Sequence, residues 1–173
     1  TLLLSSAASD VYKRQGWTIA KKLLQHERKF ISNFGLAAGM GSKKDVVSLA
    51  KKHFGEDEGK ISNPIFRSKV IDHKMKEHAF GLTLQRAADE GGKASAVASM
   101  FKYYGTEHNK RRHELMVAAS GVNGLAWDGN EFDDSEKNLT RAWLRTKGNS
   151  IEGGTSEVQL NVISKRVLEL PSG

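Results

Sequence analysis

Apolar residues recur every three or four positions along most of this chain, and no stretch alternates apolar with polar residues. A period near 3.6 is typical of amphipathic helices, whereas a half-buried strand has a period of two. Three long segments and three shorter ones carry the helical pattern: 17–40, 65–88 and 94–120, then 43–55, 135–147 and 156–170. The sequence therefore predicts an all-α fold, an antiparallel four-helix bundle with short additional helices.

Glycine and proline mark the boundaries of these segments. Gly55 is expected to end the first short helix, the polar loop EDEGK follows, and Pro64 suits the first turn of the next helix. The apolar positions of that helix predict which side faces the core: Ile65, Phe66, Val70, Ile71, Met75, Ala79, Leu82 and Leu84.

The composition is that of an ordinary globular domain, with 173 residues, 38% of them hydrophobic, and no cysteine. The absence of cysteine excludes disulfide scaffolds and thiolate metal sites. No run approaches the roughly 20 apolar residues of a membrane span. We therefore expect a soluble, cytoplasmic protein.

The first fifteen residues, TLLLSSAASDVYKRQ, follow neither a helical nor a strand period. A secretory signal would place its basic residues before the apolar stretch, but Lys13 and Arg14 come after it. We expect 1–15 to be a non-native or disordered leader and 16–173 to form the domain.

The charge balance favours anionic partners, since 27 lysines and arginines against 20 acidic residues give a net charge of +7. Nucleic acid, an acidic membrane surface and phosphate-bearing small molecules are all compatible with that charge. The cluster of Lys110, Arg111, Arg112 and His113 lacks an aromatic platform or recognition motif, which favours a solvated helix face over a nucleic-acid site.

Two histidine pairs raise the question of a metal site, His73 with His78 and His108 with His113. Each pair is five residues apart, which places the side chains about 140° apart around a helix. Such side chains do not converge on one ion, so no metal site is predicted.

The most informative stretch is 149–170, NSIEGGTSEVQLNVISKRVLEL. Gly153 and Gly154 allow a tight backbone path, and Ser156 with Gln159 three residues later is a capping-box signature for a helix start. Free amide groups at such a start can bind phosphate or another electron-rich group. The alternative is a loop that only caps its helix.

This stretch resembles the C-terminal signature of acyl-CoA dehydrogenases, in which a Gly-Gly-Thr-Ser-Glu-hydrophobic-Gln element precedes the last helix. Residues 153–159 match that element in order, and Val167, Leu168, Leu170 and Pro171 match the tail. The start of the domain, GWTIAK at 16–21, is similar to the family's C-terminal helical domain. Asn63 to Arg67 and MFKYYGTE at 100–107 resemble the branch that includes pimeloyl-CoA dehydrogenase large subunits.

The resemblance covers residues 16–171 and implies an antiparallel four-helix bundle. It also implies a fragment, because family enzymes carry a helical and a β-domain before this bundle. The implied reaction is FAD-dependent α,β-dehydrogenation of an acyl-CoA thioester in fatty acid metabolism. An electron-transfer flavoprotein or similar acceptor and assembly into a homo- or hetero-oligomer are implied as well. A non-catalytic partner subunit and a basic helical nucleic-acid-binding domain remain as alternatives.

The reaction needs a carboxylate base, and the resemblance offers Glu27, because Glu27-Arg28 matches a Glu-Arg pair on the first bundle helix of some branches. In the commonest arrangement the base directly precedes Gly-Thr, but that position here is Gly153. Glu152, one residue earlier, and the lack of any base are the alternatives. Gln25, Arg28 and Gly153 are the implied substrate-binding residues.

The implied cofactor-binding residues are Gly121, Gly124, Thr155 and Glu157. Three positions depart from the family pattern: Glu77 stands where an arginine precedes Phe-Gly, Ala118 where a glutamine heads the glycine loop, and Leu160 where an arginine follows Gln159.

Overall fold

A computed structural model describes residues 16–24, 26, 45–89 and 97–171. Residues 16–24 are helical, and we call them α1. The other helices are α2 (Val46–Phe54), α3 (Pro64–Asp89), α4 (Val97–Ala119), α5 (Asp134–Thr146) and α6 (Ser156–Val162). Ile163–Val167 continues α6 as a π-helix, and Gly121–Leu125 and Lys147–Ser150 form 3₁₀ turns.

The described residues confirm the predicted all-α fold. Their extended elements are two strands of two residues, β1 (Glu56–Asp57) and β2 (Lys60–Ile61), which pair antiparallel with Glu56 opposite Ile61. Glu58 and Gly59 between them have φ angles of 46° and 77°, so the polar loop is a tight hairpin. Within the described ranges, no helix is both long and apolar enough to cross a membrane.

The predicted helix boundaries follow from glycine, proline and capping residues. Gly55 ends α2 at a φ of 85°, as its sequence predicts. Pro64 opens α3, and the Asn63 side chain accepts a hydrogen bond from the Phe66 amide at 2.9 Å. At the start of α5, Asp133 and Glu136 form a reciprocal capping box.

Helix α4 is the centre of the fold, because α2, α3, α5 and α6 all contact it. The hydrophobic core forms around its C-terminal half and draws on four helices and β2: Leu115, Met116 and Ala119 of α4, Val46 and Ala50 of α2, Phe66 and Val70 of α3, Leu139 of α5, and Ile61.

Helices α3 and α4 pack antiparallel through a row of rings. The His73 ring stacks on the His108 ring at a centroid distance of 4.0 Å, and the Phe80 ring meets the Phe101 ring edge-on at 6.0 Å. A step of seven residues forward in α3 thus matches seven residues backward in α4. Tyr104 lies between these contacts, 5.0 Å from Phe80.

Five of the eight predicted core residues of α3 are exposed, Ala79 and four larger side chains. Phe66 and Val70 are buried as expected, but Ile65, Ile71, Met75 and Leu82 are 71%, 51%, 67% and 54% exposed. At 100° per residue, Ile71, Met75 and Leu82 lie on the side of α3 opposite Phe66 and Val70. The apolar positions of α3 therefore form two faces, and α4 covers one of them.

The His73 side chain is an unusual member of this interface. It is 1% exposed, and neither ring nitrogen has a hydrogen-bond partner among the described residues. Burial and, to a smaller extent, the charge of a protonated His108 together lower its pKa from 6.5 to about 4. Burial also lowers the pKa of His108. The folded chain therefore holds both rings neutral near pH 7.

We predict that the fold loses stability as pH falls from about 6.5 to 4. The unfolded His73 takes up a proton below its ordinary pKa, whereas the folded one resists protonation until about pH 4. That difference removes roughly 3 kcal/mol of unfolding free energy over this range. Urea unfolding at several pH values measures it.

The variant His73→Phe should reduce the slope of unfolding free energy against pH, because phenylalanine fills the interface without titrating. His78, exposed on the same helix, provides the matched control, and His78→Phe should leave the slope unchanged. Glu77, Lys74 and Arg112 also act on His73, and all three are kept in both variants. An unchanged slope in His73→Phe would contradict the prediction.

Candidate functional site

The polypeptide between α5 and α6 lies against one side of α4 and is held there by side-chain hydrogen bonds. Asn109 Nδ2 donates to Asn149 Oδ1 at 3.1 Å, and Thr106 Oγ1 donates to the Asn149 carbonyl at 3.5 Å. Lys110 Nζ donates to Ser150 Oγ at 2.9 Å. This loop, residues 147–155, is therefore fixed by a polar face of α4.

The carboxylate of Glu152 accepts hydrogen bonds from two side chains at this loop. Its Oε1 accepts a hydrogen bond from Arg145, and its Oε2 accepts one from Asn149 Nδ2 at 3.1 Å. Both oxygens of the carboxylate are thus engaged in holding the loop.

Gly153 and Gly154 turn the chain towards α6 with φ angles of 64° and 96°, which favour glycine. The Gln159 side chain, 5% exposed, donates from Nε2 to the Gly153 carbonyl at 2.9 Å. A Cβ atom on Gly154 would lie 2.7 Å from that nitrogen. The glycines therefore let a buried glutamine close the turn.

The start of α6 is capped by Thr155, whose Oγ1 accepts from the Val158 amide at 3.3 Å. The prediction of a capping box between Ser156 and Gln159 is wrong, because Thr155 takes the extended N-cap conformation and Gln159 turns back to Gly153. The Ser156 hydroxyl is buried without a partner among the described residues.

Charged groups gather beside this helix start. Hydrogen bonds from its own amide and from the Thr155 hydroxyl hold the pKa of Glu157 below its usual value. Lys102 of α4 lies nearby, and burial lowers its pKa while Glu107, Glu152 and Glu157 act in the opposite direction. The Lys102 Nζ is buried with no hydrogen-bond partner in the described part of the chain. This ammonium can donate hydrogen bonds to an anionic or carbonyl group.

The other glycine loop follows the far end of α4. Gly124 is buried, its carbonyl accepts from Thr140 Oγ1 at 2.9 Å, and a Cβ on it would lie 2.4 Å from the Val117 carbonyl oxygen. Gly121 has a φ of 57° and open space beside it. Packing therefore requires glycine at 124, whereas backbone conformation favours it at 121.

Comparison with known proteins identifies the family to which this helical domain belongs. The family model described as acyl-CoA dehydrogenase, C-terminal domain, matches residues 14–168. The chain belongs to the acyl-CoA dehydrogenase family. No solved structure gives a significant match.

Two curated relatives carry the name acyl-CoA dehydrogenase IpdE1. The protein from Mycobacterium tuberculosis is 26% identical over 157 residues, which is 90% of this chain and 38% of the relative. The protein from Mycolicibacterium smegmatis is 25% identical over 158 residues, 90% of this chain and 37% of the relative. The chain thus spans less than two fifths of the length of these relatives.

The structure brings together some of the predicted site residues and separates others. Gly153, Thr155 and Glu157 lie in one loop and helix start near Lys102. Gly121 and Gly124 follow the opposite end of α4, about 25 Å along the helix axis from the level of Lys102. Gln25, Glu27 and Arg28 lie outside the described residues.

The polar face of α4 that binds the loop at 147–155 was not predicted from the sequence. Its members, Lys102, Thr106, Asn109 and Lys110, follow helical spacing, and this polar period beside an apolar one was the available signal. Their partners near Asn149 lie some forty positions further along the chain, and no local pattern connects the two.

We predict that Thr155→Ala lowers the unfolding free energy by about 1 kcal/mol, the usual cost of losing an N-cap. The matched control is Ser156→Ala, which removes a buried hydroxyl without a described partner and should be neutral or slightly stabilising. Urea unfolding of both variants decides between them, and the reverse order would restore Ser156 as the cap.

We predict that Gly124→Ala destabilises the fold by about 1–3 kcal/mol, because the new methyl group meets a backbone carbonyl that cannot move away freely. Gly81→Ala is the control: Gly81 lies within α3 with open space around it, so alanine should stabilise by about 1 kcal/mol. Thermal unfolding measures both. Unchanged stability of Gly124→Ala would contradict the prediction.

Proposed function

We propose that this chain is the C-terminal helical part of an FAD-dependent acyl-CoA dehydrogenase that introduces an α,β double bond into an acyl-CoA thioester. The observation that carries the proposal is the family match over residues 14–168. The Gly153 to Gln159 turn, closed by a buried glutamine, supports it, because the motif that resembles the family signature has a defined structure here.

In this proposal Glu27 is the base that removes the proton from the α-carbon, and Arg28, Gln25 and Gly153 bind the substrate. FAD supplies the acceptor for the hydride that leaves the β-carbon. Glu152 is the weaker candidate for the base, because Arg145 and Asn149 already occupy both of its oxygens. Gly153 has no side chain to offer.

The residues at the start of α6 fit an anionic part of FAD. The Lys102 ammonium and the Ser156 hydroxyl are buried without described partners, and phosphate oxygens accept hydrogen bonds from such donors. We assign Thr155 and Glu157 to the same contact region. Gly121, with open space beside its backbone, is the better candidate of the second glycine pair, since packing already accounts for Gly124.

The partners also form part of the proposal. An electron-transfer flavoprotein or similar acceptor would reoxidise the flavin, and the protein would act in cytoplasmic fatty acid metabolism as a homo- or hetero-oligomer. The exposed apolar side chains Ile71, Met75 and Leu82 of α3 support burial against another part of the enzyme or another subunit.

The second candidate is a non-catalytic partner subunit of the same family. Gly153 at the commonest position of the base and the engaged carboxylate of Glu152 favour it if Glu27 is not the base. A nucleic-acid-binding domain is less favoured, because Lys110 and Arg111 of the basic cluster already pair with Glu107 and Glu114.

We predict that Glu27→Gln in the complete enzyme slows flavin reduction by acyl-CoA by about 10² to 10⁴-fold, the usual cost of losing a general base. Substrate binding should persist, because the amide keeps the shape of the side chain. Anaerobic stopped-flow measurement of flavin reduction gives the rate.

The matched control is Glu152→Gln, which should reduce its flavin at the wild-type rate. Gly153→Glu added to Glu27→Gln should restore part of the rate, since it supplies a carboxylate at the commonest family position. Arg28→Ala should weaken substrate binding more than it slows proton removal. A wild-type rate in Glu27→Gln would contradict the assignment of the base. Complete enzyme that shows no reduction at all would favour the partner subunit.

A further inference from the structure

Two helices bring three possible metal ligands together inside the domain. One nitrogen each of His73 and His108 and a carboxylate oxygen of Glu77 all lie within 4.8 Å of one another. His73 and Glu77 are one turn apart on α3, and His108 faces them from α4. The two histidine pairs that the sequence suggests, His73 with His78 and His108 with His113, each lie within one helix. The cluster instead pairs His73 with His108 across the helix interface.

The buried atoms at this cluster lack partners. His73 is 1% exposed and has no hydrogen bond to either ring nitrogen within the described ranges, and the Nε2 of His108 is likewise buried and unpartnered. A neutral imidazole has one nitrogen lone pair and one N–H. An ion bound to that lone pair would give each ring one of the partners that it lacks.

We propose that His73, Glu77 and His108 form a binding site for a divalent first-row transition ion of the zinc type, which links α3 to α4. Two imidazoles and one carboxylate are a ligand set that zinc accepts, with a fourth position left for water. The site lies on the side of α4 that faces α3, about 120° around that helix from the polar face near Lys102. It is therefore separate from the proposed flavin contacts.

The present distances need a modest contraction. Ligands at about 2.0–2.2 Å from a tetrahedral zinc ion are about 3.4 Å apart, against the limit of 4.8 Å here. The rings are stacked with an interplanar angle of 7°, so their in-plane lone pairs lie in parallel planes and do not converge. Rotation about the broad Cβ–Cγ torsion of either histidine turns its nitrogen towards a shared point. Binding must therefore break the stack.

The carboxylate can be released for this role. Lys74 Nζ lies 2.8 Å from Glu77 Oε2 and also 3.0 Å from Asp45 Oδ1. Lys74 therefore keeps a carboxylate partner when Glu77 turns to the ion. Lys74, Lys76 and Arg112 are nearby cations that oppose a bound ion, so removal of Lys74 should strengthen binding.

The first test is titration of the 173-residue chain with Zn²⁺, Co²⁺ and Mg²⁺ by calorimetry at pH 7.5. We expect one equivalent of Zn²⁺ or Co²⁺ to bind and Mg²⁺ not to bind, because magnesium prefers oxygen ligands. Glu77→Gln should weaken Zn²⁺ binding at least tenfold, and Lys74→Gln should strengthen it. The matched control His78→Gln, an exposed change on the same helix, should bind as the wild type does.

A second test needs no variant and so does not depend on whether an altered chain folds. Long-range ¹H–¹⁵N spectra of the imidazoles should show that Zn²⁺ shifts the ring nitrogens of His73 and His108 and leaves His53 and His78 unchanged. Zn²⁺ should also raise the melting temperature of the wild type more than that of Glu77→Gln. Failure to bind one equivalent, or shifts confined to other histidines, would overturn the proposal.

Discussion

The central position of α4 is the constraint on which the rest of the structure depends. Every helix from α2 to α6 contacts it, so each of its sides must suit a different neighbour. One side carries Phe101, Tyr104 and His108 towards α3, and another carries Asn109 and Lys110 towards the loop at 147–155. The positions of the loop and of the α3 interface are thereby fixed relative to each other by one rigid element.

The sequence predicts the helices well but not which of their sides are buried. Gly55 and Pro64 mark boundaries because backbone conformation alone decides them. The sides of α3 depend on its neighbours, and apolar residues on two faces give no sign of which face α4 will cover. The sequence therefore predicts Ile71 and Met75 as core residues, although both are exposed in the described structure.

At the candidate site, too, the sequence does not predict which contacts the side chains make. Thr155 and Ser156 are both suitable caps, and the choice depends on Gln159, which the Gly153 carbonyl draws away from a capping role. Pairing across elements leaves no local trace at all: Asn109 and Asn149 are 40 residues apart, and His73 finds its partner on another helix. A motif therefore predicts that a helix starts, but tertiary contacts decide what its polar groups do.

The two stacked histidines of the α3 to α4 interface differ in their hydrogen bonding from other buried polar side chains. The buried polar side chains Gln159 and Thr140 find hydrogen bonds, whereas the His73 ring nitrogens find none in the described structure. An unsatisfied buried donor costs about 1–3 kcal/mol, and a phenylalanine of similar shape would avoid that cost. A ligand that binds only the folded chain offsets such a cost by mass action. The stability of the α3 to α4 interface would then depend on the concentration of free ion. The stability of the loop at 147–155 would not, because protein groups alone provide its hydrogen bonds.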